Sequence, residues 1–306
     1  MTSMLFIGAC LLLGMLLAHR RAVPENFTAS LNALAIQVAL PALVLRSLHA
    51  LPLDGRVLLP FCMPWAVFII SAIAVRCAAA LWPMDGPSRA CLTLLCGTGN
   101  TSIIGIPLVA TYLGADAIGL AVVADQSNFI VMCTLGMWSV AAGSGKRGSL
   151  RAMAQRMLHY PPQQAMLLAL ILRPWSFPDW LDQGLAALGA LLTPIAVISV
   201  GAGLLQQRTD APRSGLFVQG MVIKLLLVPA CIFGLYGLLG SCGSPAFPVS
   251  VLQSAMPPMI VAGLIAVDQN LNPALAMRLL ALGIPISFIS TFGWSLLLGS
   301  AGGAGP

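Results

Sequence analysis

Four places in this sequence put polar side chains where chemistry is least expected. The first is the run Cys96-Gly-Thr-Gly-Asn-Thr-Ser-Ile-Ile-Gly-Ile-Pro107, set inside an otherwise apolar stretch. Gly97, Gly99 and Gly105 weaken a helix and Pro107 removes an amide hydrogen, so a continuous helix is not expected here. Asn100, Thr101 and Ser102 then add hydrogen-bonding groups to the break. The second place, Ser254, Pro257 and Pro258, makes a similar break late in the chain. A broken helix frees backbone amides and presents a positive dipole end, which together suit an anion. The third place is Asp125-Gln-Ser-Asn128: a carboxylate able to take a proton or a cation, with Gln126 and Asn128 as a polar wall, or else a solvated helix end. The fourth is Lys224 between Val222, Ile223 and Leu225, a cation that either snorkels to an interface or pairs with an acid or a ligand.

The elements that must position these groups follow from composition. Of 306 residues, 58% are hydrophobic and 8% charged, and the mean hydropathy is +0.94. Soluble domains carry roughly 25% charged residues, so most of this chain belongs in lipid. Spans are predicted at about 4–18, 29–48, 57–81, 90–113, 117–141, 160–174, 184–206, 215–240, 249–267 and 275–299. The expected fold is all-α, a polytopic membrane protein of about ten helices.

Other chemistries find no support. The eight cysteines lie scattered with no CxxC pair and three histidines to assist them, so they read as buried free thiols and no metal site is expected. No phosphate-binding loop or HExxH motif is present, and no cofactor is expected. The net charge of +6 comes from basic residues standing singly between apolar runs, which argues for topology and against nucleic acid as a partner. With the first residue outside, eleven basic residues fall on the cytoplasmic side and three, Arg46, Arg56 and Arg173, on the outer side. Both termini are then outside, Gly143 to Arg156 forms a cytoplasmic hinge, and the sequon at Asn26 lies on the unglycosylated side. Asp268 and Arg278 are expected at the interface.

The two halves show a common order. Pro41 and Pro194 are 153 residues apart, and Pro107 and Pro258 are 151 apart. Five spans per half is odd, so such a repeat must be inverted in the membrane. The chain divides accordingly into residues 1–142, a linker at 143–158, and residues 159–306.

The runs GMLLAHRRAVPE, LNALAIQVALPALVLRSL, GTGNTSIIGIPLVATYLGADAIGLAVVADQ and SAMPPMIVAGLIAVDQNLNP resemble the auxin efflux carrier family, whose members include plant auxin exporters and bacterial carriers of malonate, malate and similar acids. The likeness covers nearly the whole chain, and Gly99-Asn100-Thr101 through Pro107 is its most specific part. It implies a five-plus-five inverted repeat, with crossed, broken helices four and nine in a mobile transport domain and helices one, two, six and seven as scaffold. Where plant carriers have Asn-Pro-Asn-Thr, this chain has Thr98-Gly-Asn-Thr101. The expected function is secondary transport of a small organic anion, a mono- or dicarboxylate, by an elevator motion in a bacterial inner membrane. Its site would comprise Asn100, Thr101, Ser102, Gln126, Asn128, Ser254, Pro257 and Pro258, with Gly99, Pro107 and the two late prolines breaking the helices. A homodimer through the scaffold is a further expectation. A sodium- or proton-coupled carrier resembling the bile-acid transporters, and an acid sensor without transport, are the other readings.

Overall fold

A computed structural model describes residues 2–24, 26–52, 54–144, 155, 158–206 and 215–302. Most of the expected hinge, including Lys146, Arg147, Arg151 and Arg156, lies outside the described residues, as do Arg208 and Arg213.

The described chain is helical, and its sole bridge outside helices pairs Gly99 with Pro258. In order come α1 (Thr2–His19), α2 (Phe27–Ala50), α3 (Gly55–Leu81), α4 (Gly86–Gly97), α5 (Thr101–Leu113) and α6 (Ala115–Ser144). They are followed by α7 (Pro161–Leu172), α8 (Asp179–Ala190, resuming as Leu192–Gln206), α9 (Gly215–Leu238), α10 (Ala246–Ser254), α11 (Ile260–Asp268) and α12 (Pro273–Gly302). Six of these, α2, α3, α6, α8, α9 and α12, are long and apolar enough to cross a bilayer. The protein is a polytopic all-α membrane protein. Its boundaries follow the apolar runs closely, because in lipid a backbone group finds its partner within its own helix.

Proline distorts these helices in a regular way. Wide π-turns at Ala35–Ala39, Thr101–Gly105 and Ile223–Leu227 each end two residues before a proline: Pro41, Pro107 and Pro229. The proline ring crowds the carbonyl four residues back and gives no amide to it, and a wider turn relieves both problems. Pro194 stands four residues after Ala190, where the first stretch of α8 ends.

The helices sort into two packing groups. Helices α1, α2, α7 and α8 pack chiefly on one another, and α3 to α6 pack with α9 to α12. In the first group α1 and α8 approach at glycines: a Cβ on Gly14 would meet the Ile198 carbonyl oxygen, and one on Gly201 the Leu11 carbonyl oxygen. Such small-residue contacts let membrane helices pack backbone to backbone. Arg46 on α2 donates from Nε to Asp182 on α8 at 2.8 Å, and Ser199 on α8 donates to Asn32 on α2 at 2.8 Å. Replacing Gly201 by Leu is therefore expected to destabilise the protein by about 1–3 kcal/mol through overpacking, seen as a lower thermal unfolding midpoint in detergent. An unchanged midpoint would show that α1 and α8 separate without loss.

One expectation, that for the cysteines, needs correction, and Arg278 is enclosed by protein: it is 6% exposed, and its guanidinium carbon stands 4.7 Å from the Phe217 ring centroid. The apolar face of Phe217 gives the cation a partner inside the helix packing. The eight cysteines are free, but only Cys10, Cys91, Cys96 and Cys133 are buried; Cys62, Cys77 and Cys242 are exposed. Side chains facing lipid need no protein cover, so an apolar residue in a membrane helix need not be inside the fold.

Candidate functional site

The two helix breaks meet. After Gly97, Thr98 takes an extended conformation, and the chain runs through Gly99 and Asn100 before α5 begins. On the other side Met259, also extended, precedes α11. Gly99 bridges Pro258 in antiparallel fashion, and the Asn100 amide donates to the Pro257 carbonyl at 2.8 Å. Two unwound backbones thus satisfy part of their hydrogen bonding against each other, as buried irregular chain must.

Side chains from α6 brace this crossing. Asn128 donates from Nδ2 to the Gly99 carbonyl at 2.8 Å and to Thr101 Oγ1 at 3.2 Å, while its Oδ1 accepts from the Gly99 amide at 3.3 Å. A side-chain amide offers both a donor and an acceptor, so one asparagine stands in for a missing strand at Gly99. Asp125 accepts from Thr101 Oγ1 at 2.6 Å and from Gln126 Nε2 at 3.1 Å. It is buried, so of the two settings open to it from sequence, the interior one holds. Gln253 of α10 donates to the Thr101 and Ala121 carbonyls, each at 3.4 Å, and its Oε1 presses on Gly105 where a Cβ would otherwise stand.

Lys224 does not snorkel. It is 1% exposed within the π-turn of α9, and its Nζ lies 3.5 Å from where a Cβ on Gly99 would be. The salt bridges among the described residues are Arg46 with Asp182 and Arg56 with Asp54, and Lys224 joins neither. An ionisable side chain enclosed among membrane helices marks a candidate functional position.

A cavity of about 470 Å³ opens beside the crossing, between the two packing groups. The first turns of α5 and α11 contribute Asn100, Ser102, Ile103, Met259, Ile260 and Val261; α2 contributes Thr28, Asn32 and Ile36, and Tyr160 closes one end. Asn100 Nδ2 is buried with no hydrogen-bond partner in the protein. The volume falls within the ~300–1,000 Å³ of small-molecule sites, and the mixture of apolar wall and few polar groups is that of a ligand pocket.

The structure separates the residues singled out from sequence. Asn100 and Ser102 line the cavity. Thr101, Asp125, Gln126 and Asn128 form the brace behind it. Pro257 and Pro258 supply backbone to the crossing, with Pro107 capping the π-turn of α5. Ser254 donates to the Val251 carbonyl of its own helix at 2.7 Å and stands apart from the cavity. Sequence reasoning passed over Gln253, Asn32 and Tyr160. Gln253 had a signal in being an amide in an apolar span next to the break; Asn32 and Tyr160 had none, since each is one polar residue near a helix end.

A family model described as membrane transport protein matches residues 1–154 and 147–295. The chain belongs to the auxin efflux carrier family. It is 25% identical over 307 residues, covering 97% of each chain, to an uncharacterized transporter of Methanothermobacter thermautotrophicus. Membership makes the protein a membrane transporter, embedded by several helices and handling a small molecule.

Proposed function

We propose that the protein is a secondary carrier of a small organic anion, whose carboxylate binds at the crossing and whose carbon skeleton lies against Ile36, Ile103, Met259, Ile260 and Val261. The observation that carries this reading is Asn100: it lines the cavity where α5 and α11 both begin, and its buried Nδ2 has no hydrogen-bond partner in the protein. Two helix starts and an amide offer several uncharged donors, so a carboxylate can exchange its water for them and still leave. The cavity lies between α2 and the group containing the crossing, which suits an elevator motion of α3 to α6 and α9 to α12 against α1, α2, α7 and α8. Malonate and malate fit its polar side, and a monocarboxylate with an apolar body uses more of its wall.

Asp125 suits coupling to a proton as a part of the same reading, because it is buried beside the crossing and its partners Thr101 and Gln126 are neutral, so no fixed cation holds it ionised.

The test is uptake and counterflow in proteoliposomes with labelled malonate, malate and phenylacetate. Asn100→Ala is expected to weaken binding of the transported acid by about 1–3 kcal/mol, the cost of removing one buried hydrogen-bond partner, with an unaltered unfolding midpoint. Wild-type affinity in this variant would move the anion away from the crossing. Saturable binding of an acid with no flux would make the protein a sensor.

A further inference from the structure

Away from the crossing, three helices enclose a hollow of about 190 Å³ whose lining includes Arg76 near the end of α3 and Arg89 in the first turn of α4. Neither guanidinium pairs with a carboxylate among the described residues, and no carboxylate lines the hollow. The nearby Asp85 is occupied in capping α4, accepting from the Ser88 amide at 3.1 Å. Two like charges that share one concavity repel unless an anion lies between them. The floor is cut down to backbone: Gly86 and Gly143 both line the hollow, and a Cβ on Gly143 would press on Ala90 and stand 3.6 Å from the Gly86 carbonyl oxygen. Ser139 adds a hydroxyl to the lining, although it already donates to the Gly136 carbonyl at 2.7 Å.

The surroundings select among anions. Trp138, 62% exposed, forms one wall, the placing of an indole at a membrane interface. Arg76, Ile73 and Ile69 follow one another at three- and four-residue steps along α3, and both isoleucines are exposed. An apolar track therefore leads from the hollow down the lipid-facing side of the protein. A free phosphate has no use for such a track, whereas an acyl chain does.

We propose that this hollow is a binding site for the phosphodiester headgroup of an anionic glycerophospholipid, held by Arg76 and Arg89 with its acyl chain along Ile73 and Ile69. Guanidinium forks match phosphate oxygens in pairs, and basic pockets between membrane helices hold anionic headgroups. All three enclosing helices belong to the group that carries the crossing, so the lipid would travel with that group and not with α1, α2, α7 and α8.

The experiment uses the full chain in a neutral detergent, with phosphatidylglycerol, phosphatidylcholine and inorganic phosphate as probes. The readouts are the thermal unfolding midpoint and lipid retained in native mass spectrometry. Phosphatidylglycerol is expected to raise the midpoint and stay bound; phosphatidylcholine and phosphate are not. The double variant R76Q/R89Q should need about thirtyfold more phosphatidylglycerol for the same effect, since each of the two basic residues near a lipid surface is worth about 1 kcal/mol. Ala142→Phe, which fills the hollow and keeps both charges, should lose the lipid as well, and it decides the matter should the arginine variant fail to fold. R20Q/R21Q removes an exposed basic pair elsewhere and should behave as wild type. Undiminished phosphatidylglycerol binding in the filled variant overturns the proposal. So does an equal effect of inorganic phosphate, which would assign the hollow to the free ion, or an equal loss in R20Q/R21Q, which would reduce the effect to general charge.

Discussion

Replacing Lys224 by Met is expected to weaken binding of the transported anion by about a hundredfold, the scale of removing one partner from a buried charge pair, while the protein still folds. The lysine is enclosed, no carboxylate among the described residues pairs with it, and its Nζ lies 3.5 Å from where a Cβ on Gly99 would stand, one residue from Asn100. An anion arriving at the crossing therefore finds the neutral donors of the helix starts, and Lys224, when protonated, adds a positive charge behind Gly99. Methionine has a similar length and no charge, so it fills the same space, and exchanging a buried ionic group for a well-packed apolar one is often neutral or stabilising. Equilibrium binding of the transported acid to the purified variant reads the first effect and thermal unfolding the second. Wild-type affinity in Lys224→Met would mean that the lysine serves packing alone.

Asp125→Asn is expected to give the second large effect: loss of the pH dependence of flux, with counterflow exchange retained. The carboxylate accepts from Thr101 and Gln126, both neutral, so no fixed cation holds it ionised and a proton can be taken up. Asparagine keeps an oxygen for Thr101, and Gln126 can turn its unpartnered Oε1 toward the new amide. The geometry thus survives and the titration does not. Initial rates in proteoliposomes under imposed pH gradients distinguish the outcomes. A variant whose rates still follow the gradient would place coupling elsewhere, and one that follows a sodium gradient only in the wild type would make Asp125 a cation site.

Much of this architecture was legible before any coordinates, for a physical reason. In lipid the backbone must bond within its own helix, so apolar runs mark helices and interruptions by Gly, Pro and Asn mark where that rule is suspended. The run Cys96 to Pro107 and the residues Ser254, Pro257 and Pro258 stand out in this way, and the structure unwinds the chain at 98–100 and 255–259. Hydropathy served less well for single residues. Cys62 and Cys77 look like Cys91 and Cys96 in their apolar surroundings, yet the first two face outward. In a membrane both the inside and the outside of the fold are apolar, so burial leaves little trace in residue type.

By itself, then, the sequence determined the helical class, the approximate helix limits, the two breaks and the family, because each depends on local composition or on a contiguous motif. Only the tertiary structure decided that the breaks touch, that Asn128 braces Gly99, that Lys224 lies enclosed beside the same glycine, and that Ser254 turns back on its own helix. It also decided that Arg76 and Arg89 share one hollow. Each of these depends on how helices distant in sequence are rotated and set against one another. That choice is made by the packing of particular side chains, such as Gly201 against Leu11 and Gly105 against Gln253, and hydropathy does not record it.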